Sequence, residues 1–319
     1  MANKYRLSSN AYERETADEQ ISPKKIYFIS VEGVATEVEY IKGLSAYRSE
    51  LGINVLVNVE VLRRHTKDGH SAPEQVIELL EEYLTLRDAG SDIFPDIPNT
   101  IKNDFTPEFI RSYLSSPESI NINERKQFEL ALTKIGYDLS YRKYLSKYAN
   151  AHDEFCIMID RDTGSHSAED MRFVVQYCEK NNYRCFIITN PCFEFWLLLH
   201  FTDIHEEYAD YLDKIRENRK VSKTHTFVSK ELSLRVHHGK KGISFKENYL
   251  PHIEDAMVRA TKFASDNNAL IEEIGCNIWK LIKERLCYPK IETISLIHAS
   301  PRNMIVPFFQ TYCLLSVKI

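Results

Sequence analysis

Short apolar runs alternate with longer amphipathic stretches through the first two-thirds of the chain. The apolar runs are four to ten residues long and rich in Ile, Val and Phe, as in strands buried on both faces of a parallel sheet. They predict strands at about 25–31, 53–62, 154–159 and 184–189. Apolar positions recur with helical spacing at about 36–49, 73–87 and 167–181. Strands that alternate with helices predict an α/β fold with a mostly parallel sheet.

Two regions depart from this rhythm. Residues 89–150 open with Pro95 and Pro98 and predict helices at about 107–114 and 124–148, inserted between strands two and three. A run that starts at Pro191 is apolar on every side, as in a short buried helix. Further helices are predicted at 206–218, 247–268 and 270–286, and β-like runs in the last thirty residues. We therefore divide the chain into a lead-in (1–23), an α/β domain (24–205) and a mainly helical C-terminal region (206–319).

Composition narrows the class of protein. The chain is 43% hydrophobic and 27% charged, which is typical of a globular protein. It has no apolar stretch long enough for a membrane span and no signal-peptide pattern, so we expect a cytoplasmic protein without membrane contact. The seven cysteines form no C-x-x-C pair, which favours reduced core thiols over a zinc site.

Acidic residues follow two of the predicted strands directly. Glu32 and Gly33 end the first strand, and Asp160 and Asp162 end the third. Because the carboxyl ends of parallel strands meet at one edge of a sheet, these carboxylates are expected to converge there. Oxygen ligands of this kind suit Mg²⁺ or Mn²⁺, which commonly assist phosphodiester cleavage. The alternatives are a surface glutamate that caps the first helix and a chance D-x-D.

These motifs resemble a known family. Glu-Gly after strand one and D-x-D after strand three resemble the Toprim domain of topoisomerases, primases and OLD-type nucleases. Three longer motifs resemble the RloB-like family, which includes the second component of the AbiL abortive-infection system. They are V-E-G-x-x-T-E-x-x-Y (Val31 to Tyr40), I-D-R-D (Ile159 to Asp162) and N-P-C-F-E-F-W-L-L-L-H-F (Asn190 to Phe201). The resemblance covers about residues 25–205, and a weaker continuation extends to about 286.

The resemblance implies a Toprim-like, mostly parallel four-stranded sheet between helices. It implies Asp160 and Asp162 as Mg²⁺ ligands, Glu32 as a metal ligand or general acid/base, and Glu37 as a second acidic metal residue. It also implies a nuclease toxin in antiphage defence, usually beside an ATPase partner. The substrate would be RNA, such as tRNA, or DNA.

Other classes of function stay open at this stage. The chain has no G-x-x-x-x-G-K-[ST] motif, so ATP hydrolysis is not expected of it. It is either the nuclease itself or a regulatory, non-cleaving subunit of an ATPase-containing complex. A Toprim primase or nucleotidyl transferase is a third alternative, although no triphosphate cradle is evident.

Further candidates lie near the predicted edge of the sheet. Glu194 stands among Phe, Trp and Leu, so it needs a partner, which is either the metal site or a structural ion pair. Asn190 would orient Asp160 or Glu194, or cap the following helix. Four polar residues follow strand two and would contact phosphate or form a solvated loop: Arg63, Arg64, His65 and Lys67.

A basic stretch stands out against the overall acidic charge. The net charge is −5, which argues against nonspecific coating of nucleic acid. Residues 214–246 nevertheless contain ten Lys and Arg against two Glu. This stretch is either a solvated helix and loop or a local basic surface for nucleic acid.

Overall fold

The computed structural model of the chain describes residues 6–7, 25–33, 35–53, 57–63, 72–90, 92–147, 152–162, 164–183, 185–236 and 243–286. The chain divides into two compact units, residues 1–288 and 289–319. All described residues belong to the first unit. Most of the lead-in (residues 1–5 and 8–23 of 1–23) and the β-like runs predicted for the last thirty residues lie outside them, and the domain boundary at 205 stays a prediction.

A five-stranded sheet forms the centre of the described part. Its strands are β1 (Lys25–Val31), β2 (Val57–Leu62), β3 (Glu154–Asp160), β4 (Cys185–Asn190) and β5 (Gly275–Cys276), in the order β2-β1-β3-β4-β5. The first four are mutually parallel, and β5 pairs with β4 antiparallel. The predicted α/β class and mostly parallel sheet are confirmed, and the expected count of four strands is short by one. A two-residue strand has too few positions to produce an alternating pattern, so β5 is not visible in the sequence.

Helices cover both faces of this sheet and form most of the rest of the described chain. They are α1 (Thr36–Ala46), α2 (Pro73–Asp88), α3 (Asn99–Asp104), α4 (Pro107–Ser115), α5 (Ile122–Lys134), α6 (Leu139–Leu145), α7 (Ala168–Lys180), α8 (Phe193–Leu199), α9 (Ile204–Glu207), α10 (Leu212–Glu217), α11 (Phe227–Arg235), α12 (Ile253–Ala260), α13 (Asn267–Glu272) and α14 (Ile278–Lys280). Short 3₁₀ turns lie at Pro117–Ser119, Ala209–Tyr211 and Leu250–His252, and π-helical turns at Phe245–Tyr249 and Leu281–Leu286.

Alternate residues of the strands point into two separate cores. One core contains Tyr27, Ile29 and Met158 and packs against α1, α8 and helices beyond residue 204. The other contains Phe28 and Ile157 and packs against α2, α7 and the inserted helices. Most C-terminal helices therefore cover the face opposite the insertion, whereas α13 packs through Leu270 and Ile271 on the same side as the insertion.

Glycine explains the clearest difference between predicted and observed helices. The single helix expected at 124–148 is two helices, α5 and α6. Gly136 lies between them with a φ of 72°, a left-handed conformation that ends a helix and that glycine adopts without steric cost. The helix expected at 270–286 is likewise interrupted, because β5 occupies its middle.

Two buried polar side chains connect α1 with α8. The Tyr40 hydroxyl donates to His200 Nε2 (3.1 Å), and His200 Nδ1 donates to the Trp196 carbonyl (3.1 Å). Both side chains are essentially inaccessible to solvent. Because the carbonyl can only accept, Nδ1 carries the proton and the imidazole is neutral. The pair fixes the spacing of the two helices that carry Glu37 and Glu194.

The stability of the protein should decrease as pH is lowered because of His200. Burial lowers the pKa of His200 to about 3, whereas an unfolded histidine titrates near ~6.5. Between these two pKa values only the unfolded state binds the proton. The stability contributed by the buried neutral His200 is therefore fully present above the unfolded pKa and is lost as pH falls towards 3. We expect this residue alone to lower the free energy of unfolding by about 2 kcal/mol between pH 7 and pH 5.

Urea denaturation of the parent and of His200→Gln at several pH values checks this expectation. The glutamine variant should be the less stable protein at pH 7, and the difference should shrink by about 2 kcal/mol at pH 5. A difference that does not change with pH would contradict the assignment.

Candidate active site at the carboxyl edge of the sheet

The sheet order creates a crevice between β1 and β3. From β1 the chain continues to β2 on one side, and β3 pairs with β1 on the other side. In open α/β sheets, ligands bind beyond the carboxyl ends of the strands at such a reversal. Glu32 follows β1 at this point, and its backbone N–H donates to the Met158 carbonyl (3.2 Å) of β3. The Glu32 carboxylate in turn accepts a hydrogen bond from the Asp160 N–H (3.1 Å).

Asp160 ends β3 and is held from β4 and α8. Its Oδ1 accepts from the Thr189 hydroxyl (2.7 Å), and its Oδ2 accepts from the Phe193 N–H (3.0 Å) at the start of α8. Thr189 is the register partner of Asp160 in the sheet, which places its hydroxyl beside the carboxylate. Burial raises the pKa of Asp160 well above its usual range, and the negative charges of Glu32, Glu37 and Glu194 raise it further. The structure therefore brings four of the predicted acidic residues together.

Glu37 and Glu194 reach the crevice from the first turns of two helices. The Glu37 carboxylate lies directly against the Cα of Gly33, where a side-chain Cβ would come within 2.0 Å of Glu37 Oε2. Glycine at position 33 thus permits the approach of Glu37 to the end of β1. Glu194 is half-buried. Burial raises the pKa of the Cys192 thiol, and the negative charges of Glu194 and Asp160 raise it further.

His166 joins the site from the loop that follows Asp162. Its Nε2 donates to Glu32 Oε1 (3.2 Å), and the side chain is only 6% exposed. The hydrogen bond to Glu32 raises the pKa of His166. Arg161, also buried, donates to the carbonyls of His166 (2.5 Å) and Ile271 (2.7 Å) and fixes this loop against α13. The only signal in the sequence was proximity to the D-x-D motif, which does not specify a partner for His166.

Asp162 faces its own loop. Its carboxylate accepts from the Gly164 N–H (3.2 Å) and the Ser165 hydroxyl (2.9 Å), and its N–H donates to the Pro191 carbonyl (2.9 Å). The reason is local: β3 ends at Asp160, so the alternation that would place both side chains on one side does not continue to Asp162. In this structure Asp162 closes the loop that carries His166.

A family model described as RloB-like protein matches residues 27–284, which is most of the chain. The chain belongs to the RloB-like family. Neither a curated protein nor a solved structure matches it.

The remaining predicted residues of this RloB-like protein have different outcomes. Arg63 follows β2 at the same edge, one strand away from Glu32, and its backbone N–H donates to the Tyr141 hydroxyl (3.0 Å) of α6. Arg64, His65 and Lys67 lie outside the described residues, so phosphate contact by this segment stays a prediction. Asn190 was expected to orient a carboxylate or cap α8, and this expectation is wrong. Its side chain donates instead to the Leu270 carbonyl (2.8 Å).

The acidic residues of the site carry the type of donor atom that a hard divalent cation prefers. Glu32, Glu37, Asp160 and Glu194 supply only oxygen donors, and their mutual repulsion is what a bound cation would relieve. Each Asp160 oxygen accepts one described hydrogen bond and has a second lone pair. Within the described ranges, however, no three His, Cys, Asp or Glu side chains converge closely enough to form a metal site as they stand. Binding would require carboxylate rotation.

None of the described helices is long and apolar enough to cross a bilayer.

Proposed function

We propose that this RloB-like protein is a Toprim-type nuclease that depends on Mg²⁺ or Mn²⁺ and hydrolyses phosphodiester bonds in RNA or DNA. The observation that carries the proposal is the acidic pair at the β1–β3 crevice. Glu32 and Asp160 are joined by a hydrogen bond there, and Glu37 and Glu194 lie around them. Four carboxylates at the reversal point of a parallel sheet are costly to keep together unless they serve a cation.

The residues of the chain have distinct roles in this proposal. Glu32, Glu37 and Asp160 would hold the cation, with Glu194 as a further ligand. Asp162 would join them only by leaving its bonds to Gly164 and Ser165. A bound Mg²⁺ or Mn²⁺ would stabilise negative charge on the scissile phosphate and lower the pKa of water. Thr189 and the Phe193 N–H orient Asp160, and His166 orients Glu32 through a proton on Nε2. A carboxylate fixed by two donors keeps its position when substrate binds, which favours catalysis.

The biological role is proposed from family resemblance. RloB-like proteins include a component of an abortive-infection system, so this chain would act as a cytoplasmic toxic effector in antiphage defence. An ATPase partner would restrain it before infection. Co-expression with a neighbouring ATPase gene tests this part. Co-purification and reduced toxicity support the partnership, and unrestrained toxicity without co-purification contradicts it.

Cleavage by the purified protein is the test of the proposed activity. We expect cutting of at least one nucleic acid in Mg²⁺ or Mn²⁺ and none in EDTA. The substrates are total tRNA, long RNA, and supercoiled and linear DNA. If no substrate is cut, the assay is repeated with the ATPase partner. Continued absence of cleavage together with stable complex formation would favour the regulatory, non-cleaving subunit.

Gly33→Ala should displace the Glu37 carboxylate without disturbing the fold. The added Cβ would overlap the Glu37 carboxylate, which is the flexible end of a side chain and can move away. We expect cation-dependent cleavage to fall by about tenfold, equivalent to ~1.4 kcal/mol, with little change in melting temperature. Cleavage rates over a Mn²⁺ titration measure the effect.

Gly164→Ala is the matched control for this variant. A Cβ at Gly164 would lie 3.5 Å from Asp162 Oδ1, an ordinary contact, in the neighbouring loop of the same site. Its cleavage rate should stay near that of the parent. Equal losses in the two variants would show that Glu37 has no special role.

A further inference from the structure

We propose that residues 219–225, here called the basic turn, bind the phosphodiester backbone of the nucleic acid that enters the β1–β3 crevice. This inference rests on the proposed nuclease function and names the surface that positions its substrate. Three features of the turn support this role: hydrogen bonds order it, it is attached next to the segment that orients Asp160, and its lysines have no acidic partner among the described residues.

Backbone and side-chain hydrogen bonds order the basic turn. Lys220 and Thr226 form an antiparallel bridge, and the Phe227 N–H donates to the Arg219 carbonyl (3.0 Å). Within the turn, the N–H groups of Val221 and Ser222 both donate to the His225 carbonyl (2.9 and 3.2 Å). The result is a small hairpin between α10 and α11 that presents its side chains in a defined arrangement.

Asn218 attaches this hairpin beside the acidic site. Its backbone is left-handed (φ 41°), a conformation that asparagine tolerates, and it turns the chain out of α10. Its side-chain Nδ2 donates to Cys192 Sγ (3.3 Å), and its side-chain Oδ1 accepts from the Val228 N–H (3.0 Å) at the start of α11. Cys192 directly precedes Phe193, whose N–H donates to Asp160. Asn218, the residue before the basic turn, is therefore bonded to the neighbour of the residue that orients Asp160.

The charges of this region are not equally available. The three arginines of residues 214–246 pair with carboxylates: Arg216 with Asp213, Arg219 with Glu217, and Arg235 with Glu207 and Glu231. Lys214 lies over the ring of Tyr211 instead.

Lys220 and Lys223 differ from these cations. Both are exposed, and in the described part of the chain neither forms an ion pair. Val221 between them is a large apolar residue that is 52% exposed. Two uncompensated ammonium groups with an apolar side chain between them suit a polyanion whose sugars and bases accompany its phosphates. In a protein with a net charge of −5, such a patch also concentrates nucleic acid where the carboxylates alone would repel it.

Salt-dependent binding tests the proposal without requiring cleavage. All proteins carry Asp160→Asn, so that substrate stays intact in Mg²⁺. Fluorescence anisotropy measures Kd for labelled single-stranded RNA, single-stranded DNA, duplex DNA and tRNA from 50 to 300 mM salt. The test variant is Lys220→Gln/Lys223→Gln. The control is Lys126→Gln/Lys134→Gln, which removes the same charge from exposed positions of α5, a helix that packs on the opposite face of the sheet.

We expect the test variant to lose affinity for at least one nucleic acid and to reduce the slope of log K against log salt by about 1.4 to 1.8, the value for two lost phosphate contacts. The control should keep the parental slope. Equal losses in test and control variants would overturn the proposal, because only net charge would matter. An unchanged nucleic-acid affinity with weaker capture of the ATPase partner would also overturn it, in favour of an acidic protein surface.

The outcome for the basic turn is separable from that for the nuclease. Binding that depends on Lys220 and Lys223 supports the inference even if the parent protein cuts nothing, in which case the proposed nuclease function alone fails. Cleavage and binding by the parent that are both indifferent to the two lysines would overturn this inference and leave the nuclease intact. Circular dichroism and thermal melts of each variant verify that the fold is retained.

Discussion

Replacing Asp160 by asparagine is expected to lower cation-dependent cleavage by about 10³-fold, equivalent to ~4 kcal/mol of transition-state stabilisation. The substitution keeps the shape of the side chain but removes the charge that would hold the cation. Asparagine can still accept from the Phe193 N–H and donate to the Thr189 oxygen, whose hydroxyl can rotate. The local hydrogen bonds, and with them the fold, should persist. Single-turnover cleavage of the preferred substrate measures the loss.

Thermal stability provides a second readout for the same variant. In EDTA, Asp160→Asn should melt at the parental temperature or above it, because repulsion from Glu32, Glu37 and Glu194 is relieved. In the parent, Mn²⁺ at a hundredfold excess over its Kd should add about 3 kcal/mol of stability. This gain should be absent in the variant.

Asp104→Asn, at an exposed position on α3, is the matched control for charge. It should leave both cleavage and the Mn²⁺ effect unchanged. Full cleavage by Asp160→Asn would rule out the proposed metal role. A Mn²⁺ effect that persists in the variant would move the cation to other carboxylates.

Replacing Arg142 by alanine is expected to cost about 3–5 kcal/mol of stability. Arg142 on α6 is 1% exposed, and its guanidinium donates to Glu82 of α2 and to Asp96 (2.9 Å). It also lies over the Tyr137 ring at 4.6 Å. Alanine would leave two mostly buried carboxylates without their cation, and it would remove both the ion pair that joins α6 to α2 and the pair with Asp96 within the insertion. Urea denaturation measures the change in the free energy of unfolding.

Two comparisons make this prediction specific. Arg172→Ala removes an exposed pair with Glu272, whose partners are 53% and 58% exposed, and should cost less than about 1 kcal/mol. A triple variant with Arg142→Met, Glu82→Gln and Asp96→Asn removes all three charges and should recover more than half of the loss. A cost below 1 kcal/mol for Arg142→Ala would show that the inserted helices are held by apolar packing alone.

Hydrophobic periodicity was sufficient for most of the fold. The strands β1 and β3 and the helix α2 begin and end within about a residue of their predicted positions, because their apolar residues must face two cores on opposite sides of one sheet. Prediction was less accurate where a single residue or a short element decides the structure. Gly136 divides a predicted helix, and β5 is too short to have a pattern.

The candidate site was predictable to a similar degree. Strand ends marked Glu32 and Asp160, since acidic residues directly after buried strands must reach the edge of the sheet. Glu37 came from the family resemblance and Glu194 from its position among apolar residues, and the structure places both near Asp160. The Thr189 hydroxyl was not predicted, because its position depends on the register between β3 and β4, which local sequence does not contain.

The sequence by itself determined the α/β class, the edge of the sheet that bears the acidic residues and the family of the chain, because these depend on local periodicity and on short motifs. Only the tertiary structure decided that β1 and β3 are neighbours, that His166 orients Glu32, that Asp162 faces its own loop and that Asn218 attaches the basic turn beside Asp160. Each of these depends on which side chains are brought within hydrogen-bond distance by the packing of distant segments.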